Sequence, residues 1–113
     1  MARINIARQQ ASDAGLVPVY YQASPDGHAV KNSDGRIALH VINRGEAEVV
    51  VIVKSGLTVG GLKLQDREVV VAPGESAFIG PLDGIVYNQS GTSETWIDYS
   101  TVGGVDVAAL LIP

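Results

Sequence analysis

Two histidines, His28 and His40, are the side chains of this sequence best suited to act as a general base near neutral pH. A serine nucleophile would need one of them beside it, with an acid to orient the ring. No glycine-flanked elbow serine is present to supply that nucleophile. His28 follows Asp26-Gly27 and reads as a turn residue, while His40 falls on the polar side of an alternating segment. Paired carboxylates are a second possibility. Glu94 and Asp98 share a face if residues 94–100 form one strand, an arrangement a glycosidase could use. In an acidic chain, two acids on a solvated face are the plainer reading. Asn32-Ser33-Asp34-Gly35 resembles part of a calcium loop but lacks the further acidic ligands and the closing Glu, so it reads as a β-turn. A cupin-type metal site is a third possibility, since Pro73-Gly74 precedes a strand. The residues after it offer Glu75 and no His, which leaves such a site without ligands. Gly60-Gly61 and Gly103-Gly104 precede no helix and lack the Lys-Ser/Thr element of a phosphate loop. Trp96, Tyr99 and Tyr20 could stack on a sugar, although core packing or a plain sheet-face position is the simpler account of such rings.

Composition narrows the field. The 113 residues suffice for one domain. Hydrophobic residues make up 46% and charged residues 18%, which argues for a packed core and against disorder. A net charge of -4 argues against a nucleic-acid partner, which calls for a basic footprint. The chain has no Cys, so disulfides, thiolate metal sites and a cysteine nucleophile are excluded. No apolar run approaches bilayer-spanning length; Val49 to Val53 is strand-sized. The N-terminus alternates polar and apolar residues without a signal-peptide core, which fits synthesis in a cytoplasm and no membrane partner. No enzymatic activity, cofactor or metal is expected.

The elements that carry these residues read as all-β. Turn signals recur through the chain, among them Asp26-Gly27, Asp34-Gly35, Ser55-Gly56, Pro73-Gly74 and Asp83-Gly84. Between them apolar residues alternate with period two. Ile37, Leu39 and Val41 form one such set, Ala77 and Ile79 a second, and Val105, Val107 and Ala109 a third. Val49 to Val53 is apolar on both faces and reads as a central strand covered on both sides. The expected strands are 3–7, 17–22, 36–43, 47–54, 57–65, 67–72, 76–80, 85–88, 94–100 and 105–112. Gln9 to Ala14 could make one helical turn before Gly15 and Pro18 stop it. The architecture expected is a single-domain antiparallel β-sandwich or jelly-roll-like barrel spanning 1–113. Residues 1–15 are either an extended N-terminal arm or the first strand of the protein's own sheet, since both use the same alternation.

Three stretches carry a family resemblance. Asn32 to Asn43 (NSDGRIALHVIN), Val69 to Pro81 (VVVAPGESAFIGP) and Tyr87-Asn88 with Val105 to Leu110 together resemble small virion proteins of tailed bacteriophages. Among these are head-decoration, or cement, proteins encoded near the major capsid protein. Ala72-Pro73-Gly74 departs from the Pro-Ala-Gly order more usual there. The resemblance implies a non-enzymatic structural protein on the outside of the head, binding the major capsid protein, stabilising the shell and associating as a homotrimer. It would be made in the bacterial host cytoplasm. Arg3, Ile4, Ile6 and Arg8 are the expected capsid contacts, because their alternation suits addition to a partner's sheet edge. The alternatives are a carbohydrate- or receptor-binding module of a tail or fibre and, last, a cupin-like small enzyme.

Overall fold

The computed structural model describes residues 3–10 and 13–112. Along the chain lie β1 (Ile4–Ile6), β2 (Arg8–Gln10), β3 (Tyr21–Gln22), β4 (His28–Lys31), β5 (Ile37–Asn43), β6 (Val49–Val53), β7 (Thr58–Val59), β8 (Leu62–Lys63), β9 (Arg67–Val71), β10 (Ser76–Ile79), the single-turn helix α1 (Gly84–Tyr87), β11 (Glu94–Tyr99) and β12 (Val105–Leu111).

The antiparallel pairings are nested. β3 pairs with β12, β4 with β11, β5 with β10 and β6 with β9, and the small β7–β8 hairpin sits at the far tip. The chain is thus one long hairpin ribbon. Rolled up, it places β4-β11-β6-β9 in a first sheet and β10-β5-β12-β3 in a second. That strand order is the jelly-roll arrangement, an all-β sandwich of two sheets.

The core lies between the sheets and is built by the period-two rule. Ile37, Leu39 and Val41 of β5 face Val49, Val51 and Val53 of β6, with Ile97, Val105 and Val107 beside them, all fully buried. Each such side chain contributes roughly 1.5–3 kcal/mol on leaving water. The outer face of β6 differs from expectation. Val50 and Ile52 stay half-buried, so this central strand is covered on one side only.

Direction is a second difference. β1 runs parallel to β4 at the edge of the first sheet, and β2 runs parallel to β12 at the edge of the second. Alternation tells which residues face inward and says nothing of strand direction, so an all-antiparallel sandwich was the default expectation. Residues 3–10 therefore form a strap that crosses from one sheet to the other along one seam. Met1, Ala2, Ala11 and Ser12 of the expected arm lie outside the described residues.

Five local expectations also give way. Residues 57–65 are broken by Gly60-Gly61, whose positive φ angles of 61° and 83° turn the chain back into β7 and β8. Residues 85–88 are mostly helical, because the Asp83 carboxylate caps the turn by accepting from the Ile85 N–H at 2.8 Å. Of 17–22, Tyr21–Gln22 pairs as a strand and the residues before it run as an unpaired segment. Gln9-Gln10 belong to β2, not to a helical turn. His28 is no turn residue: it opens β4 and is 1% exposed.

Candidate functional site

The outer face of the second sheet is the surface most unlike ordinary protein exterior. Alternation aims Ala38, His40 and Ile42 of β5, Ala108 and Leu110 of β12, and Phe78 of β10 outward, on the side opposite the core. Phe78 is 68% exposed, an unusual state for the one phenylalanine of the chain. Its ring stacks on His40 with centroids 4.2 Å apart and planes 15° from parallel. Tyr20 meets the histidine edge-on at 5.7 Å, and its hydroxyl lies 2.7 Å from His40 Nδ1. The three rings hold one another in place, so Phe78 projects from a rigid base.

Beside Phe78 runs an apolar groove of about 430 Å³. Leu16 and Pro18 form one wall, Ala38 and Leu110 line it from the sheet, and Leu111 and Ile112 complete it. Small residues make the groove possible: Ala38 and Ala108 keep the sheet surface low where a longer side chain would fill it. The wall is positioned by Gln9, whose side-chain amide donates to the Val19 carbonyl and accepts from the Val19 N–H, both at 2.8 Å. Phe78, Leu16 and Ile112 leave apolar surface open to water. An apolar, rigid, weakly charged face of this kind can bind a complementary protein surface, and its residues offer no activated nucleophile.

The residues singled out for other chemistry are engaged elsewhere. His28 is buried with its Nδ1 2.7 Å from the Tyr99 hydroxyl, and burial lowers its pKa from the ordinary histidine value. Burial, reinforced by the Asp98 carboxylate, pushes the Tyr99 phenol up. Glu94 and Asp98 do share the outer face of β11 with Trp96 between them. Four strand residues separate their backbones by about 13 Å, wider than the about 5–9.5 Å of a glycosidase pair. Asp98 is moreover ion-paired to Arg3 at 2.5 Å. Asn32 is a fully buried structural residue. Its amide donates to the Leu82 carbonyl, to Asn88 Oδ1 and to Thr95 Oγ1, at 3.0, 3.1 and 3.0 Å. Asp66 sits under the β7–β8 hairpin. Burial alone would raise its carboxyl, but the Ser55 N–H and the ammonium groups of Lys54 and Lys63 outweigh that and bring it down to about 2. Among the described residues no three His, Asp or Glu side chains gather as a metal site.

The four expected capsid contacts are placed along the strap. The Arg3 guanidinium donates to Asp98 and to the Ile97 carbonyl, and lies 4.7 Å from the centre of the Trp96 ring. Ile6 is in the core at 4% exposure. Ile4 is half exposed, and Arg8 approaches Asp34 at 3.5 Å. Arg3 also accounts for the face of Trp96, which a sugar would otherwise use. Phe78 was not singled out from sequence, yet its signal was present. Ala77 and Ile79 alternate inward, which sends the intervening phenylalanine out. No family model, curated protein or solved structure matches this chain.

Proposed function

We propose that this protein is a non-enzymatic structural subunit of a tailed-bacteriophage particle, seated on the outside of the head. It binds the major capsid protein and acts as a homo-oligomer, with a trimer favoured. It is made in the bacterial cytoplasm and carried on the virion. The observation that supports this reading is the exposed apolar face around Phe78 and its groove. Such a face is costly to leave in water and is suited to covering by a protein partner. The resemblance of residues 32–43, 69–81 and 105–110 to small virion proteins supplies the identity of that partner. A subunit that binds the assembled shell and not its separated parts lowers the free energy of the shell by linkage, and many weak sites act together.

The strap contributes less direct contact than its alternation suggests, since Arg3 and Ile6 are turned into the protein's own fold. Ile4 and Arg8 keep exposed surface and can meet the shell at the rim of the interface. The test is co-sedimentation of the protein with purified heads stripped of it, comparing the native chain with Phe78→Ser. Loss of at least tenfold in bound protein, with unchanged melting, is the expected outcome. Equal binding by the variant would remove the apolar face from the interface. Failure of both proteins to bind heads would remove the head-surface reading.

A further inference from the structure

We propose that residues 3–10 are an exchangeable strap, which docks on its own two sheet edges in one copy and on the same two edges of a second copy when copies are close. The proposal concerns the chain alone and does not rest on the virion reading.

The strap is attached by few, separable contacts. β1 adds three residue pairs to β4, and β2 adds three to β12. One apolar side chain, Ile6, enters the core. The remaining side-chain fixings are polar or cation–π: Arg3 on Asp98, the Ile97 carbonyl and the Trp96 ring, the Ala7 N–H on the Tyr21 hydroxyl, Arg8 near Asp34, and Gln9 on Val19. A segment with this little burial opens locally at far lower free energy than the sandwich behind it.

The receiving edges are shaped for it. Gly27 has a φ of 82°, and a Cβ there would run into the Arg3 guanidinium, the Asp98 carboxylate and the Ile97 carbonyl. The Ile4 N–H donates to the Gly27 carbonyl at 3.2 Å. Strap and socket thus fit in detail, and an identical strap from another copy fits the same socket. When the strap leaves, β4 and β12 present unpaired backbone along their edges, a standing template for strand addition.

Chain length permits the exchange. Gln10 lies level with Leu111 of β12, and Tyr21 lies level with Val107. Four strand residues separate those levels, about 13 Å. The connection from Gln10 to Tyr21 can reach up to about 36 Å when extended. The surplus is comparable with the 23 Å thickness of the molecule, enough to carry the strap to a neighbour. Passing the strap from copy to copy around a ring leaves no strap-receiving edge empty, and reciprocal exchange closes a dimer.

The absence of cysteine makes a direct test available. Asn5 and Ala29 are aligned partners across β1 and β4. Two single variants, Asn5→Cys and Ala29→Cys, are mixed in equal amounts at high and at low concentration, then mildly oxidised. The double variant in one chain serves as the control that the geometry allows a bond. The expected result is a covalent dimer joining position 5 of one chain to position 29 of the other, identified by peptide mass and enriched at least tenfold at high concentration. Closure in the double variant without any 5-to-29 product in the mixture overturns the proposal. If the double variant does not close, the same mixture is read by amide hydrogen exchange. Strap residues 4–10 exchanging as slowly as β5 and β12 then overturn it, and exchange at least tenfold faster supports it.

Discussion

His28 shows how one buried side chain ties this fold to pH. It is enclosed by β1, β4 and β11, with Tyr99 as its hydrogen-bond partner and Arg3 and Asp98 on the neighbouring positions. Its folded pKa lies below the unfolded value of 6.5, so the unfolded chain takes up the proton first. Its contribution to stability is therefore complete well above pH 6.5 and declines as the pH falls through that value towards the folded pKa. We expect the melting temperature to fall between pH 7.5 and pH 5, and the fall to shrink in His28→Gln. An unchanged pH profile in that variant would assign the sensitivity to other groups. His40, which stacks under Phe78, differs in kind, because it is only half-buried and its task is to hold an aromatic neighbour.

Between elements, the polar network of Asn32 is the joint that matters most. It fastens the end of β4 to β11 through Thr95, and both to α1 through Asn88 and Leu82. Asn32→Ala leaves buried acceptors without a donor, at a cost of about 2–3 kcal/mol, readable as a lower urea midpoint with unchanged slope. The strands β5, β6, β9, β10, β11 and β12 were legible in the sequence, along with residues they bury. Several short elements were not. His28-Ala29-Val30-Lys31 does not alternate, its first three residues all being buried, and it directly follows the turn signal Asp26-Gly27. Ile85-Val86-Tyr87 favours strand by propensity, and the Asp83 cap overrides it over a single turn. The candidate face was half legible. Phe78 could be placed outward from its neighbours, but the Tyr20–His40 support and the groove wall arise from segments far apart in sequence, which no local pattern encodes.

At the scale of the whole molecule, nested pairing makes almost every sheet contact long-range, from β6 with β9 at the centre to β3 with β12 at the ends. Chains of this topology fold slowly, on the order of milliseconds to seconds, because distant segments must meet before burial rewards them. The same nesting separates the regions by role. The hairpin tip with Val59 and Leu62 lies at one end of the ribbon, and β2 beside β12 lies at the other.

Tension gives the parallel run of β2 on β12 a further meaning. A pull between the chain ends loads their three aligned pairs in shear, so the bonds share the force and must yield together. Behind them, β3 with β12 and β4 with β11 run antiparallel and would open bond by bond, like a zip. The strap is therefore a mechanical fuse in front of a weak seam. In single-molecule pulling, the native chain should resist to a higher first rupture force than a variant carrying Gln9→Ala and Ile6→Ala, and the two should unravel alike thereafter. Under the proposed reading of a subunit on the outside of a shell, that first resistance is the one that counts.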